Sequence, residues 1–183
     1  GSLCIKFPWP SIARTIYGDH QRFRETYFST FENKYFTGDG CFRDIQGMYR
    51  ITGRIDDVLI VSGHNLGTAE IESAIDEHEN ICETAIVGFP HNIKGNGIYA
   101  FVICHKKPED PNRLRDEINN LVTKIVGPIA KADKIQFVDG LPKTRSGKIM
   151  RRILRNIASG NEGDIGDIST LVDSNVIEKI KLN

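Results

Sequence analysis

Residues 140–152, GLPKTRSGKIMRR, concentrate positive charge beside a predicted helix start. They include five lysines and arginines and no acidic residue. A glycine-containing loop can carry a lysine into a closed cleft, where its ammonium stabilises charge that develops during chemistry at a phosphate. Lys148 is the candidate for that role, and a solvated basic loop is the alternative. A P-loop does not fit, because Pro142 and Ile149 stand where that motif needs glycine and serine or threonine.

Two further candidates, Asp39 and Arg54, lie fifteen residues apart. The carboxylate of Asp39 can accept hydrogen bonds from both hydroxyls of a ribose, and Arg54 is a planar cation suited to phosphate. Each residue also has an ordinary structural interpretation. Asp39 can stabilise a tight turn, and Arg54 can form a surface ion pair with Asp56 or Asp57.

Other polar residues are weaker signals when taken alone. The sequence SGHN at residues 62–65 is typical of a turn, in which Gly63 allows close approach of a ligand to the backbone. His78 lies on the apolar face of a predicted helix, where a half-buried structural histidine is a more ordinary interpretation than a metal ligand. The four cysteines form no CxxC pair, and the histidines complete no zinc pattern.

Composition is that of an ordinary globular protein. The 183 residues are 39% hydrophobic and 26% charged, with 24 basic and 24 acidic residues. This balance argues against bulk binding to nucleic acid or to an acidic membrane. The absence of a long apolar run and of a secretory signal, with scattered cysteines, predicts a cytoplasmic protein, with mitochondrial or nuclear location as alternatives. The sequence opens like a strand entered midway, so we expect a piece of a larger protein.

Periodicity from about residue 57 predicts the order strand, helix, strand, strand, helix, strand, helix. Thr68 and Asn112 are the predicted N-caps of the first two helices. The order predicts an α+β domain with helices packed on a short mixed sheet. We assign this domain to residues 56–160, the end of a preceding domain to 1–55, and a loosely held tail to 161–183. A helical turn is expected around residues 19–28.

Several segments together resemble one family. YFTGDG (35–40), ITGRIDDVLIVSGHNLGTAEIESAI (51–75) and LPKTRSGKIMRRILRNIA (141–158) resemble the C-terminal part of acetyl-coenzyme A synthetases, AMP-forming acyl-CoA ligases of the adenylate-forming superfamily. PWPSIARTIYGDHQRF (8–23) and STLVDSNVIEKI (169–180) are closer to these enzymes than to longer-chain ligases. The resemblance implies that residues 1–55 end a large adenylation domain and that the next domain is mobile.

The resemblance implies an acetate–CoA ligase, in which acetate and ATP give acetyl-AMP and pyrophosphate, and CoA then displaces AMP to give acetyl-CoA. Lys148 would be the adenylation lysine. Asp39 and Arg54 would bind the nucleotide, and Mg²⁺ would accompany ATP. Asn65 departs from the family, which usually has an arginine there in contact with ATP phosphate. The family's phosphate loop lies upstream, so we expect the chain alone to be inactive.

The resemblance also implies that two half-reactions share one cleft. The C-terminal domain would rotate about Asp56, first bringing in the adenylation lysine and then presenting its opposite face to CoA. Ser62 and Gly63 would line the path of the pantetheine arm.

Phosphate contacts in the same family suggest further residues. Thr123 stands where an arginine can contact the phosphates of CoA, and Lys124 or Arg155 would be its substitutes. Arg151, Arg152 and Arg155 crowd the start of the last helix, which is the wrong end for the helix dipole. Phosphate binding and solubility are the two interpretations of that crowding.

A cation and a modification complete the implied features. Asp76, His78 and Ile81 match positions where the family binds a cation, largely through backbone carbonyls, which suit Mg²⁺. The family also inactivates its adenylation lysine by acetylation, which would remove the charge of Lys148. A lysine acetyltransferase and a deacetylase would then be partners.

Two alternatives remain open at this stage. One is another short-chain acyl-CoA ligase, such as a propionate enzyme, because the residues that shape the acyl pocket lie upstream. The other is a non-catalytic module that binds a nucleotide or a protein.

Overall fold

The computed structural model describes residues 1–161, 166 and 168–181. The chain divides into two compact units, Gly1–Asp57 and Val58–Asn183. Each unit contains its own β-sheet. Among the described residues, no helix combines the length and the apolar character that crossing a membrane requires.

The first unit consists of a three-stranded antiparallel sheet, in the order β1–β2–β3, and one helix. Its elements are β1 (Ser2–Ile5), α1 (His20–Phe28), β2 (Tyr35–Arg43) and β3 (Tyr49–Arg54). Helix α1 begins where the carboxylate of Asp19 accepts a hydrogen bond of 2.9 Å from the backbone N–H of Arg22. The helical turn predicted here is confirmed.

The second unit is a five-stranded mixed sheet with helices on both faces. Its elements are β4 (Val58–Val61), β5 (His64–Gly67), α2 (Thr68–Asp76), β6 (Ile81–His91), β7 (Gly95–Cys104), α3 (Pro111–Ile125), a 3₁₀ turn (Pro128–Ala130), β8 (Lys134–Phe137), α4 (Arg151–Ala158) and α5 (Asn175–Lys181). The strand order is β5–β4–β7–β6; β8 runs parallel to β7, and the other pairings are antiparallel. The predicted α+β class is confirmed.

Alternation of side chains along β6 and β7 gives each face of this sheet its own core. One face packs against α2 and α3, and this α2–α3 face includes Ile71, Ile75, Ile86, Ile98, Ile118 and Val122. The opposite face packs against α4 and α5, and this α4–α5 face includes Ala85, Val87, Phe101, Leu141, Leu154 and Ile180. Helices α3 and α4 are therefore separated by the full thickness of the sheet.

Both predicted N-caps are wrong by one or two residues. Thr68 is the first residue of α2 rather than its cap, and Gly67 precedes it without a side-chain cap. Helix α3 is capped by Asp110, whose carboxylate accepts two backbone N–H groups, so Asn112 lies inside the helix. Aspartate followed by Pro111 is the better start signal, because proline is pre-organised for the first helical position.

Helix α5 in the tail is packed, so the prediction of a loosely held tail is wrong for Asn175–Lys181. Ile177 and Ile180 of α5 are 3% and 2% exposed. The side-chain amide of Gln136 in β8 donates a hydrogen bond of 2.6 Å to the carbonyl of Ile180. The glycine- and aspartate-rich composition just upstream concealed this short apolar face.

Packing of the tail predicts a difference between two aliphatic truncations within it. Ile180→Ala removes buried atoms from the α4–α5 face and should lower the free energy of unfolding by about 2 kcal/mol. Val172→Ala is the control, because Val172 is 67% exposed, and its effect should stay within about 0.5 kcal/mol. Urea unfolding of the chain measures both. Equal effects of the two variants would show that the tail is not docked.

Candidate functional site

Residues 142–150 form a short hairpin with Lys148 close to its tip. Lys143 and Ile149 form an antiparallel bridge at its base. At the turn, Gly147 has a φ of 81°, a left-handed conformation that glycine adopts without strain. The cationic loop predicted from the sequence is thus an ordered structure, and we call residues 142–150 the Lys148 hairpin.

Thr144 fixes the backbone of Lys148. The Thr144 N–H donates to the Lys148 carbonyl at 2.9 Å, and the Thr144 Oγ1 accepts from the Lys148 N–H at 3.1 Å. The side chain of Lys148 is exposed, as is that of Arg145, and neither forms an ion pair with any residue that the structure describes. The result is a free ammonium on a fixed backbone, which is available to an incoming anion.

Ion pairs hold both ends of the Lys148 hairpin. Lys143 Nζ lies 2.6 Å from Glu83 Oε2, at the start of β6. Arg151 Nη2 donates to both carboxylate oxygens of Glu72 in α2, each at 2.7 Å. The sequence suggested phosphate binding or solubility as the role of Arg151. In the structure, Arg151 instead forms an ion pair with Glu72.

The outer edge of the Lys148 hairpin pairs with the tail. Thr144 forms an antiparallel bridge with Leu171. Beside it, the Val172 N–H donates to the Lys143 carbonyl at 3.0 Å. Sequence analysis missed this pairing, because a single bridge has no alternating pattern to reveal it.

Ser62 and Gly63 form the two-residue turn between β4 and β5. Their φ angles are 49° and 83°, so both residues are left-handed, as the tight hairpin turn of this type requires. A Cβ added at Gly63 would meet no heavy atom within 4 Å, so the backbone there faces open space. Asn65 follows on β5 with its side chain exposed. Strand β5 was not predicted, because it is only four residues long.

The Lys148 hairpin and the Ser62–Gly63 turn lie at opposite ends of the sheet. The hairpin is tied to Glu83, near the start of β6. The turn is tied to Lys94, just beyond the end of β6, through a hydrogen bond of 3.0 Å from the Ser62 N–H. From Glu83 to the last residue of β6, His91, is eight residues, or about 26 Å of extended strand.

Thr123 has a local role that its sequence did not suggest. Its hydroxyl donates a hydrogen bond of 2.7 Å to the carbonyl of Asn119, one turn earlier in α3. Arg155 lies on α4, on the other face of the sheet, and cannot take the place of an arginine at this position. Lys124 is exposed and adjacent, so it is the cation that remains available.

The imidazole of His78 is engaged by neighbouring residues. Nδ1 accepts a hydrogen bond of 3.2 Å from the N–H of Asn80, which puts the ring proton on Nε2. That Nε2 lies 3.5 Å from Glu117 Oε2. The described residues contain no group of three or more histidine, cysteine, aspartate or glutamate side chains that could hold a metal. A metal at this place would therefore rely on backbone oxygens.

Backbone carbonyls between α2 and β6 have the chemistry that a hard cation prefers. Asp76 is the last residue of α2, where the helix dipole favours positive charge. The carbonyl of His78 accepts a hydrogen bond of 2.9 Å from the Ile81 N–H and keeps a second lone pair. Burial, followed by the neighbouring acids Glu72 and Glu83, raises the pKa of the Asp76 carboxyl. Backbone carbonyl oxygens are of the ligand type that Mg²⁺ accepts.

In the first unit, Asp39, Arg54 and Asp56 form one cluster. Asp39 and Arg54 lie opposite each other on β2 and β3, with Arg54 Nη1 3.5 Å from Asp39 Oδ1. Arg54 Nε and Nη2 donate to the two carboxylate oxygens of Asp56 at 2.9 and 3.3 Å. The hydrogen bond to Asp56 raises the pKa of Arg54. Since the side chains of Arg54 and Asp56 are 44% and 70% exposed, the pair is weak and Arg54 can exchange partners.

Gly38 makes room for the guanidinium of Arg54. It has a φ of 79°, and a Cβ at this position would lie 2.7–2.9 Å from the guanidinium atoms. The guanidinium also donates a hydrogen bond of 3.1 Å from Nη1 to the carbonyl of Thr37. A glycine is therefore needed before Asp39 on two grounds. It adopts the left-handed φ, and it leaves space for the guanidinium of Arg54.

Comparisons with known proteins agree on one family. Residues 70–148 match the AMP-binding enzyme C-terminal domain. The chain is 57% identical over 183 residues to an acetyl-coenzyme A synthetase of Bradyrhizobium diazoefficiens, covering 100% of this chain and 28% of that relative. An acetoacetyl-CoA synthetase from Streptomyces lividans shares the fold, with a TM-score of 0.82 and 21% identity over 100% of this chain and 28% of its own. An anthranilate CoA ligase in complex with anthranoyl-AMP has a TM-score of 0.71 and 30% identity, over 81% of this chain and 28% of its own.

These matches cover less than a third of the relatives' own lengths. The chain aligns with the C-terminal part of the curated relatives. The domain match at residues 70–148 lies entirely within the second unit. The resemblance read from the sequence is confirmed: the whole chain is similar to the C-terminal part of acetyl-coenzyme A synthetases, and residues 70–148 match the AMP-binding enzyme C-terminal domain.

Proposed function

We propose that the chain is the C-terminal part of an acetate–CoA ligase that converts acetate, ATP and CoA to acetyl-CoA, AMP and pyrophosphate through acetyl-AMP. Support comes from the 57% identity to an acetyl-coenzyme A synthetase along the whole chain. The single observation that carries the mechanism is that the Lys148 hairpin and the Ser62–Gly63 turn are attached at opposite ends of β6, whose eight residues from Glu83 to His91 extend about 26 Å.

Lys148 would act in the first half-reaction. A carboxylate attacks the α-phosphate of ATP, so two anions must meet while negative charge grows on the bridging and leaving oxygens. An ammonium held at that point stabilises this charge. The exposed side chain of Lys148 and the hydrogen bonds that fix its backbone to Thr144 support this role.

The Ser62–Gly63 turn would act in the second half-reaction. The backbone of Gly63 faces open space, so the amides of an incoming pantetheine arm can approach it closely. We propose that Ser62 and Gly63 line this path. The hydroxyl of Thr123 is used inside α3, so exposed Lys124 is the better candidate for the phosphates of CoA.

Movement of the second unit would connect the two steps. Groups attached at opposite ends of β6, about 26 Å apart along the strand, would not both serve one reacting centre in a single orientation. We propose Asp56 as the hinge, since it lies one residue before the end of the first unit at Asp57. Rotation there would exchange Lys148 for the Ser62–Gly63 turn at the reacting centre.

Nucleotide binding would use the cluster in the first unit. Asp39 would accept the ribose hydroxyls, and Arg54 would leave its exposed partner Asp56 for the nucleotide. Mg²⁺ would accompany ATP and offset the charge of its phosphates. Asn65 would supply hydrogen bonds but no charge.

Two further features belong to the proposal. A second cation would be held by the backbone carbonyls of Asp76, His78 and Ile81, with a structural rather than a catalytic role. Acetylation of Lys148 would remove the charge that adenylation needs. The exposure of the Lys148 side chain supports access by an acetyltransferase and a deacetylase.

Replacement of Lys148 separates the two half-reactions. In a full-length ligase that carries this chain, Lys148→Ala should lower acetate-dependent ATP–pyrophosphate exchange by about 100-fold or more, because a charge-stabilising donor is lost. Thioester formation from supplied acetyl-AMP and CoA should change less than about threefold. Arg145→Ala is the matched control, since Arg145 is another exposed cation on the same hairpin and forms no ion pair with the described residues. Survival of exchange in Lys148→Ala would refute the adenylation role.

Two glycines test the nucleotide role of Arg54. Gly38→Ala places a Cβ against the Arg54 guanidinium, whereas Gly18→Ala introduces the same left-handed strain, at a φ of 75°, with no atom within 4 Å. ATP affinity, measured from the ATP dependence of exchange in the full-length ligase, should fall about tenfold in Gly38→Ala, as expected for one charge-assisted contact. Gly18→Ala should leave it unchanged. Equal affinities in the two variants would contradict a nucleotide contact made by Arg54 from the position that Gly38 accommodates.

A further inference from the structure

The ion pair between Glu72 and Arg151 joins three elements of the second unit. The two residues lie 79 positions apart, on α2 and at the start of α4. Glu72 Oε1 also accepts a hydrogen bond of 2.8 Å from the N–H of Ile86 in β6. The side chains of Glu72 and Arg151 are only 12% and 24% exposed. Such shielded, charge-assisted contacts are stronger than exposed pairs, and removal of one partner leaves the other charge uncompensated.

Arg151 stands at the unfavourable end of its own helix. It is the first residue of α4, where the helix dipole repels a cation. Met150, which precedes it, provides no side-chain cap. The helix therefore gains nothing from an arginine at this place, and the carboxylate of Glu72 supplies the compensating negative charge.

The same pair lies directly behind the adenylation candidate. Arg151 follows Lys148 by three residues, and the chain between them is fixed by a hydrogen bond of 2.8 Å from the Met150 N–H to the Pro142 carbonyl. The short segment between Lys148 and Arg151 is thus held by backbone hydrogen bonds at Lys148 and Met150. A movement of Arg151 would thus be transmitted to the exit strand of the Lys148 hairpin.

We propose that Glu72 is a positioning residue for Lys148, acting through Arg151. This inference rests on the proposed role of Lys148 in adenylation. Glu72 touches no reacting group; it sets the point from which the exit strand of the hairpin, and so the Lys148 ammonium, projects. A misplacement of about 1 Å can cost on the order of 100-fold in rate. Loss of Glu72 should therefore affect adenylation and spare the step served by the distant Ser62–Gly63 turn.

The primary test is Glu72→Gln in a full-length ligase that carries this chain. We expect the kcat of ATP–pyrophosphate exchange to fall about 10- to 100-fold, with little change in the KM for ATP. Thioester formation from acetyl-AMP and CoA should change less than about threefold. This split separates positioning from a general loss of folded protein, which would lower both half-reactions together.

Asp133→Asn is the matched control. Asp133 also combines an ion pair, 2.5 Å to Lys94 Nζ, with a hydrogen bond from a strand N–H, 2.9 Å from Ile98. It belongs to the other end of the sheet, because Lys94 follows β6. Asp133→Asn should therefore retain the kcat of pyrophosphate exchange. An equal loss of exchange in both variants would overturn the proposal.

Substitutions of Arg151 provide a rescue experiment. Arg151 contacts Glu72 through Nη2 alone, and its buried Nε has no hydrogen-bond partner in the described part of the chain. A single lysine nitrogen can replace that contact, so Arg151→Lys should keep most of the exchange activity. Arg151→Met should lose as much as Glu72→Gln, and the double variant Glu72→Gln/Arg151→Met should lose no more than either. Equal activity of Arg151→Lys and Arg151→Met would overturn the proposal.

A readout without catalysis distinguishes failure of this inference from failure of the proposed function. Hydrogen exchange at the Lys148 N–H, and trypsin cleavage after Arg145, report the order of the hairpin directly. Both should accelerate about tenfold in Glu72→Gln, as for a loss near 1.4 kcal/mol, and stay unchanged in Lys148→Ala. Intact pyrophosphate exchange in Lys148→Ala, together with a less ordered hairpin in Glu72→Gln, would refute the adenylation role of Lys148 but not the ordering of the hairpin by Glu72. An unchanged hairpin in Glu72→Gln would refute positioning by Glu72, whatever Lys148 does.

Discussion

The antiparallel pairing of β6 with β7 is the constraint on which the second unit depends. It runs from Ile81 opposite Cys104 to His91 opposite Gly95, and its alternating side chains supply both cores. The length of this ladder also separates the Lys148 hairpin at one end from the Ser62–Gly63 turn at the other. This placement is the ground on which we propose that the second unit moves as a whole, presenting one end of the sheet or the other to a partner.

Charge complementarity within the second unit explains why a chain of zero net charge has so basic a segment. Lys143 and Arg151 meet Glu83 and Glu72, which lie on β6 and α2. The cations nearer the tip of the hairpin form no ion pair with the described residues. The segment therefore has two parts. Ion pairs with Glu83 and Glu72 attach its base to the rest of the unit, and its tip is exposed to solvent. Overall composition cannot reveal that division, because the balancing acids lie more than fifty residues upstream.

Local pattern predicted most of the fold and part of the candidate site. Helices α2 and α3, and strands β6 and β7, have clear apolar periodicity. Asp39 and Arg54 were expected as a pair, and they lie opposite each other.

Other features could not be predicted from local pattern. Strand β5 was missed because four residues are too few to show an alternating pattern. Asp110 was overlooked as a cap in favour of Asn112. The contact between Glu72 and Arg151 spans 79 residues, and no local spacing rule applies over that range. For Arg54, the surface ion pair and the proposed nucleotide contact are compatible. The ion pair with Asp56 is exposed, so Arg54 can exchange Asp56 for a nucleotide.

The bridge between Thr144 and Leu171 has a consequence for the order in which the chain is made. The partner of the lysine-bearing hairpin is synthesised more than twenty residues after the hairpin itself. During translation, the cation-rich segment therefore leaves the ribosome before the residues that complete its edge. The outer edge of the hairpin that bears the adenylation candidate therefore stays unpaired until Leu171 and Val172 have been made.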